Sequence, residues 1–181
     1  MVHGEPGAGK STLSRSLGAV VGLPVLDRDE FKDILFDVLG WSDREWSMKV
    51  GGTSWELSGM CVERLIDAGV SLIAESNFRP GDPLVERLRS RCDAVGAARV
   101  ELYCTAPRDV LWERFDRRRR SGGRHPGHVG FEDRDSFLAA LEERPHGPLG
   151  FGQYFREVRT DTDFDTEAIG DWIEHARRSA T

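Results

Sequence analysis

The sequence predicts an α/β fold, a mostly parallel five-stranded sheet in a three-layer sandwich with helices on both faces. Three observations predict it. Short β-like runs alternate with amphipathic helical patterns along the chain. Residues 70–74 form a nearly continuous apolar run, as a strand covered on both faces requires. The first β-like run also ends in a glycine-rich turn that opens directly into a helix, the junction of a strand–helix unit.

Residues 1–3 read as the end of a strand, and a helix follows from Lys10 with Leu13, Leu17, Val20 and Val21 on one face. Residues 24–27 form a second short strand. Phe31, Ile34, Leu35, Val38 and Leu39 then give the apolar stripe of another helix. Residues 40–54 are polar and tryptophan-bearing, and predict a loop or a broken helix. Leu57, Met60, Cys61, Leu65 and Ala68 mark the next helix, which Gly69 stops. After the strand at 70–74 comes a helix through Leu84, Val85 and Leu88. Val100, Leu102 and Cys104 alternate with Arg99, Glu101 and Tyr103, the period of a half-exposed strand. Pro107 opens a helix carrying Val110, Leu111 and Phe115, which runs into an arginine cluster. Residues 122–130 read as a loop. Phe137, Leu138 and Leu141 belong to a helix ended by Pro145. A strand at 155–159 precedes a last helix with Ala168, Ile169, Trp172, Ile173 and Ala176. With no repeat or linker, residues 1–181 are expected to form one domain with a lid at about 114–130.

The chain has 181 residues, 39% apolar and 31% charged, with a net charge of −6. That composition suits a soluble globular protein and gives no long basic track for nucleic acid. No apolar stretch approaches membrane-spanning length, and Met1 leads straight into the first motif, so neither anchor nor leader is expected. Cys61, Cys92 and Cys104 are widely spaced and odd in number, which points to buried thiols in a reducing, cytoplasmic setting.

The most specific signal is Gly4-Glu5-Pro6-Gly7-Ala8-Gly9-Lys10-Ser11, a full match to G-x-x-x-x-G-K-[ST]. Glycines let the backbone curl so that several N–H groups face one anion, and the following helix adds its positive dipole end. Lys10 supplies a mobile charge for β- and γ-phosphates, and Ser11 a hydroxyl for Mg²⁺. Thr12 falls on the α-phosphate side. The expected ligands are ATP and Mg²⁺.

The second strand ends in Asp27-Arg28-Asp29-Glu30-Phe31-Lys32, on the sheet edge that carries the phosphate loop. Asp29 is the candidate group to accept or orient an acceptor hydroxyl's proton, while Asp27 serves Mg²⁺ through water. Either aspartate also suits the N-cap of the helix that follows. Glu75 closes the strand at 70–74, where a metal-holding carboxylate belongs, and in the loop that follows Asn77 and Arg79, with Phe78, are candidates to border the acceptor. Trp41 and Trp46 are candidates to stack on the acceptor, as alternatives to core packing, which suits Trp55 better.

Arg114, Arg117 and Arg118 share one helix face within the cluster that runs to Arg124. Arginines that close over phosphates stabilise the transferring group and exclude water, with Arg118 or Arg117 the candidate contact and Arg114 a nucleotide ligand. His125 and His128 lack a third metal ligand at suitable spacing and are read as shaping the lid's return, or with Arg124 as touching an anionic acceptor. Residues 160–163 suit either a nucleotide-side loop or ordinary turn chemistry.

Taken together, residues 4–12, 27–32 and 75–77 resemble the kinase module of phage-type polynucleotide kinases and the wider group of small P-loop kinases of the AAA type. Chloramphenicol phosphotransferase and zeta toxins lie in the same neighbourhood. The resemblance implies that Asp29 is the catalytic aspartate. It sets Glu75 where polynucleotide kinases usually have Asp, and Lys32, a candidate acceptor contact, where they have Arg. The expected activity is transfer of the γ-phosphate of Mg-ATP to a hydroxyl of a small molecule, such as an antibiotic, sugar or nucleoside. Two alternatives stand beside it: a polynucleotide 5′-hydroxyl kinase, and a nucleotide-binding switch or ATPase without transfer. A monomer or homodimer is expected, away from membranes.

Overall fold

The structure is a computed structural model and describes residues 1–144 and 146–179. Its elements are β1 (Val2–Gly4), α1 (Lys10–Val21), β2 (Val25–Asp27), α2 (Arg28–Leu39), α3 (Arg44–Asp67), β3 (Ile73–Glu75), α4 (Pro83–Ala94), β4 (Val100–Thr105), α5 (Arg108–Arg120), α6 (Arg134–Glu143), β5 (Tyr154–Arg159) and α7 (Thr166–Ser179). The five strands are all parallel, in the order β2-β3-β1-β4-β5. Chain order and spatial order diverge beside β1, so the crevice at the C-terminal strand ends opens over the phosphate loop.

Two apolar clusters fill the two sides of the sheet. One joins Leu13 and Leu17 of α1 to Leu111, Phe115, Phe137 and Leu141 of α5 and α6 and to Ile169 and Ile173 of α7. The other joins Val62 and Ile66 of α3 to Leu84, Val85 and Leu88 of α4, with Phe78, Leu149 and Phe151. Among the described residues no helix is long and apolar enough to cross a membrane. Pro145, read from sequence as a helix terminator, lies outside the described residues.

Three sequence expectations are corrected. Of residues 40–54 only 40–43 are a loop: Asp43 caps α3 by accepting from the Trp46 N–H at 2.9 Å, and an unbroken helix then runs for 24 residues. The paired glycines at 51 and 52 disguise it, since each costs about 1 kcal/mol in a helix interior. A side chain at 51 would come within 3.3 Å of Lys32 Nζ, so close packing on α2 explains the first of them. The buried face of α3 carries Ser47, Val50, Ser54, Ser58, Gly59, Val62 and Ile66, while Leu57 and Met60 are exposed. Along α2, Lys32 and Phe36 face inward, and Ile34, Val38 and Leu39 of the expected stripe face out.

The third correction concerns β4, which lies inside the sheet and is covered on both faces. Glu101 is 1% exposed rather than solvated. Its Oε1 accepts from Leu149 N at 2.6 Å and lies 3.1 Å from His3 Nε2, and its Oε2 accepts from Phe151 N at 2.9 Å and Gly152 N at 3.0 Å. Burial alone would raise its pKa, but the His3 contact and the backbone donors hold the carboxyl down at about 2. One carboxylate thus ties β1 and β4 to the turn that enters β5.

The amide of a Glu101→Gln variant would set its NH₂ against backbone donors. It should lose about 2–4 kcal/mol of unfolding free energy at neutral pH, measured by urea titration. Because the folded carboxyl titrates below the unfolded one, the wild-type advantage is complete above the ordinary carboxylate range and lost as pH falls through about 2. The gap between the two proteins should therefore narrow on acidification.

Candidate active site

The phosphate loop joins β1 to α1 and is pressed between β4 and α5. Gly4 has φ +144°, and a Cβ there would stand 2.3 Å from the Cys104 carbonyl oxygen; Gly7 has φ +84°, and its Cβ would stand 2.4 Å from the Leu111 carbonyl. Neither position can hold a side chain without moving the backbone. Ala8 is buried and donates its N–H to the Glu5 carbonyl at 3.1 Å, closing the turn. Gly9 is the N-cap of α1 and no side chain caps the first turn, so its N–H groups remain available for an anion. Lys10 Nζ donates to the Glu5 carbonyl at 3.0 Å and lies along the loop.

A cleft of about 690 Å³ opens over this loop, lined by Pro6, Gly7, Gly9, Lys10, Ser11 and Thr12. The ends of β2 and β3 form one wall through Asp27, Arg28, Asp29, Glu75, Ser76 and Asn77. The opposite rim comes from α5, the 121–128 segment, Thr160 and Phe164. A second cavity of about 580 Å³ lies at the other sheet edge among side chains such as Leu17, Ile66 and Leu88, and holds no comparable cradle.

Asp27 and Glu75 occupy facing positions of β2 and β3 and are both buried. Asp27 Oδ1 caps α2 by accepting from Asp29 N at 2.8 Å, which leaves Oδ2 free of the cap. Burial pushes the Glu75 carboxyl well above the usual range, with Asp27 adding to the effect and Lys10 opposing it. Glu75 Oε2 is buried without a partner, and the Ser11 hydroxyl nearby favours the ionised carboxyl. Two close carboxylates, one with an orphaned oxygen, and a hydroxyl form a hard oxygen set that fits Mg²⁺, with phosphate and water to complete its shell. Among the described residues no group of three or more His, Cys, Asp or Glu is placed to hold a metal ion.

Asp29 sits in the first turn of α2, held by Arg28 at 2.8 Å and Arg124 at 3.5 Å. Burial would raise its pKa, but the two guanidiniums outweigh it and hold the carboxyl well below the usual range. Arg28 and Arg124 were not among the sequence candidates for the catalytic group. For Arg28 the available signal was its place beside Asp29. For Arg124 it was membership of the arginine cluster, although only the fold shows which member reaches Asp29.

Arg117 and Arg118 border the cleft mouth. Arg117 pairs with Glu113 at 3.4 Å, and Arg118 Nε donates to the Gly123 carbonyl at 3.3 Å. Arg114 instead points under the loop: it donates to Thr160 Oγ1 at 2.9 Å and to the Thr160 carbonyl at 2.7 Å. Thr160 Oγ1 also lies 3.1 Å from the Ala8 carbonyl, which links the end of β5, the phosphate loop and α5. The 125–128 turn docks on α2, with His128 Nε2 at 2.6 Å from Asp33, His125 Nε2 at 3.3 Å from Asp37, and His125 stacked on Phe36.

Lys32, Trp41 and Trp46 lie off the cleft. Lys32 is buried between α2 and α3, where Nζ donates to Ser47 Oγ at 3.1 Å, and burial with nearby Arg28 lowers its pKa to about 8. Trp46 Nε1 donates to the Gly40 carbonyl at 2.9 Å, and Trp41 is exposed, edge-on to His125; neither lines the cleft. Trp55 lies under the Arg28 guanidinium at 5.5 Å and against Phe78. Asn77 lines the cleft, and Arg79 lies two residues beyond it.

A family model described as AAA domain matches residues 1–144. Among solved structures, a candidate kinase from Chloroflexus aurantiacus is 36% identical with a TM-score of 0.87, covering 97% of this chain and 95% of that one. A sugar kinase from Janibacter shares the fold at 16% identity and TM-score 0.58, covering 99% and 96%. A shikimate kinase from Acinetobacter baumannii, in complex with shikimate, does so at 20% identity and TM-score 0.55, covering 98% and 91%. No curated protein sequence matches the chain.

The Thr160 bridge generates a prediction. Thr160→Val keeps the volume but leaves Arg114 and the Ala8 carbonyl short of a partner. Thermal or urea unfolding should show a loss of about 1–3 kcal/mol, accompanied by weaker binding of a fluorescent nucleotide.

Proposed function

We propose that this chain, which belongs to the AAA domain family and has the fold of the small P-loop kinases, transfers the γ-phosphoryl group of Mg-ATP to a hydroxyl of a small molecule. The observation that carries the reading is Asp29, an ionised carboxylate held by Arg28 and Arg124 in the same cleft as Lys10 and the phosphate loop. A nucleotide-binding switch has no need of such a group at that place. The cleft's volume lies within the range of small-molecule pockets, and the overall charge of −6 disfavours a long polyanionic acceptor.

In this reading the loop amides and Lys10 bind the β- and γ-phosphates, while Thr12 lies on the α-phosphate side. Ser11, Asp27 and Glu75 would hold Mg²⁺, which neutralises charge on the phosphate oxygens. Asp29 accepts a hydrogen bond from the acceptor hydroxyl and aims its oxygen in line with the γ-phosphorus. Its lowered pKa makes it a weak proton acceptor, so it orients the nucleophile and takes the proton only as the new O–P bond forms and the β–γ bridge breaks. Arg117 and Arg118 at the mouth, with Arg124 deeper, stabilise the transferring charge and limit attack by water.

Asp29→Asn should keep Mg-ATP affinity within about threefold and lower transfer by about 10²–10⁴. Lys10→Ala should lose most nucleotide affinity. The assay is transfer of label from γ-labelled ATP to a panel of hydroxyl compounds, with a fluorescent nucleotide reporting affinity. Full transfer by Asp29→Asn would refute its role, and wild-type label ending only in free phosphate across the panel would favour a simple ATPase.

A further inference from the structure

Arg79 has no task in the phosphoryl-transfer site described above. It lies in the loop after β3, and its Nε is sealed from solvent without a hydrogen-bond partner. Two further arginines, Arg28 and Arg144, lie within electrostatic range and oppose its charge. Asp82 and Glu5 attract it through space, but Asp82 already caps α4 by accepting from Leu84 N at 3.1 Å. His146 stands in the same neighbourhood, near Arg79, Arg144 and Lys10, and both of its ring nitrogens are buried and unpartnered. Arg28 carries a buried, unpartnered Nε of its own. Folded proteins rarely leave so many polar atoms unsatisfied in one place, and clustered like charges call for a counter-ion.

The cluster is joined to the transfer site through Arg28, which lines the cleft and donates to Asp29 at 2.8 Å. The terminal phosphates of a nucleotide have the loop amides and Lys10 for partners, so this second set of donors has no role toward them. We infer that Arg79, with Arg28, Arg144 and His146, forms an anion-binding half of the acceptor site, so that the acceptor is a hydroxyl compound also bearing a carboxylate or phosphate. The inference rests on the kinase reading and deepens it: Asp29 takes the hydroxyl, Arg28 stands between, and Arg79 takes the anion. A guanidinium suits either oxyanion because its fork donates two parallel hydrogen bonds to one head group.

The test is thermal unfolding of the full chain saturated with Mg-AMPPNP, which occupies the phosphate loop, titrated with inorganic phosphate in one arm and malonate in the other. The wild type should gain about 3 °C in a saturable manner at about 10 mM of the preferred anion. Arg79→Gln should lose that gain while still being stabilised by Mg-AMPPNP, which reports that it is folded. Should Arg79→Gln fail to fold, Arg144→Gln is read in the same way and should show a weakened gain. The stronger arm identifies a phosphate-bearing or a carboxylate-bearing acceptor. No saturable gain in either arm, or the same gain in Arg79→Gln, overturns the inference. Failure of the wild type to bind Mg-AMPPNP would instead overturn the kinase reading itself.

Discussion

The close approach of the phosphate loop to its two neighbours is the constraint on which the rest of the site depends. The loop cannot stand away from the sheet, because Gly4 is set against the Cys104 carbonyl and Gly7 against that of Leu111. Both contacts exclude any Cβ, so the glycines meet a steric demand of the tertiary fold as well as allowing an unusual backbone. Thr160 then fixes the third side, with one hydroxyl shared among Arg114, the Ala8 carbonyl and the Thr105 carbonyl. A cradle so braced keeps its amides in place before any nucleotide arrives, which is the condition for electrostatic catalysis without reorganisation.

Charge is distributed unevenly around that cradle. On the β2–β3 side burial, with Asp27 alongside, pushes the Glu75 carboxyl up, a tension that a divalent cation would relieve. A few residues away Asp29 experiences the reverse, because Arg28 and Arg124 keep it ionised despite its burial. Neighbouring carboxylates are thereby pushed in opposite directions by their surroundings, which suits the separate metal and acceptor roles proposed for them.

The strand–helix alternation, the phosphate loop and the acidic strand ends were legible in the sequence because each depends on local residue type and spacing. What escaped depends on partners distant in the chain. The α3 helix hid behind Gly51 and Gly52, and its packing face behind serines that carry no hydrophobic signal. Glu101 read as an outward residue because alternation cannot show that three backbone amides will converge on it. Nor did the spacing of the arginines distinguish Arg114, which braces the loop, from Arg124, which reaches Asp29. Trp41 and Trp46 follow α2 closely in sequence but lie at its outer end in space.

The turn at 125–128 rests on Phe36, a ring so close to Gly127 that any side chain there would meet it at 2.6 Å. Phe36 and Asp29 belong to the same helix, and Arg124 belongs to the segment that the ring anchors. Lifting that segment would therefore strip Asp29 of one of its two counter-charges. The carboxylate keeps both counter-charges only while that turn stays seated on the ring, so one aromatic contact and one buried charge are mechanically linked.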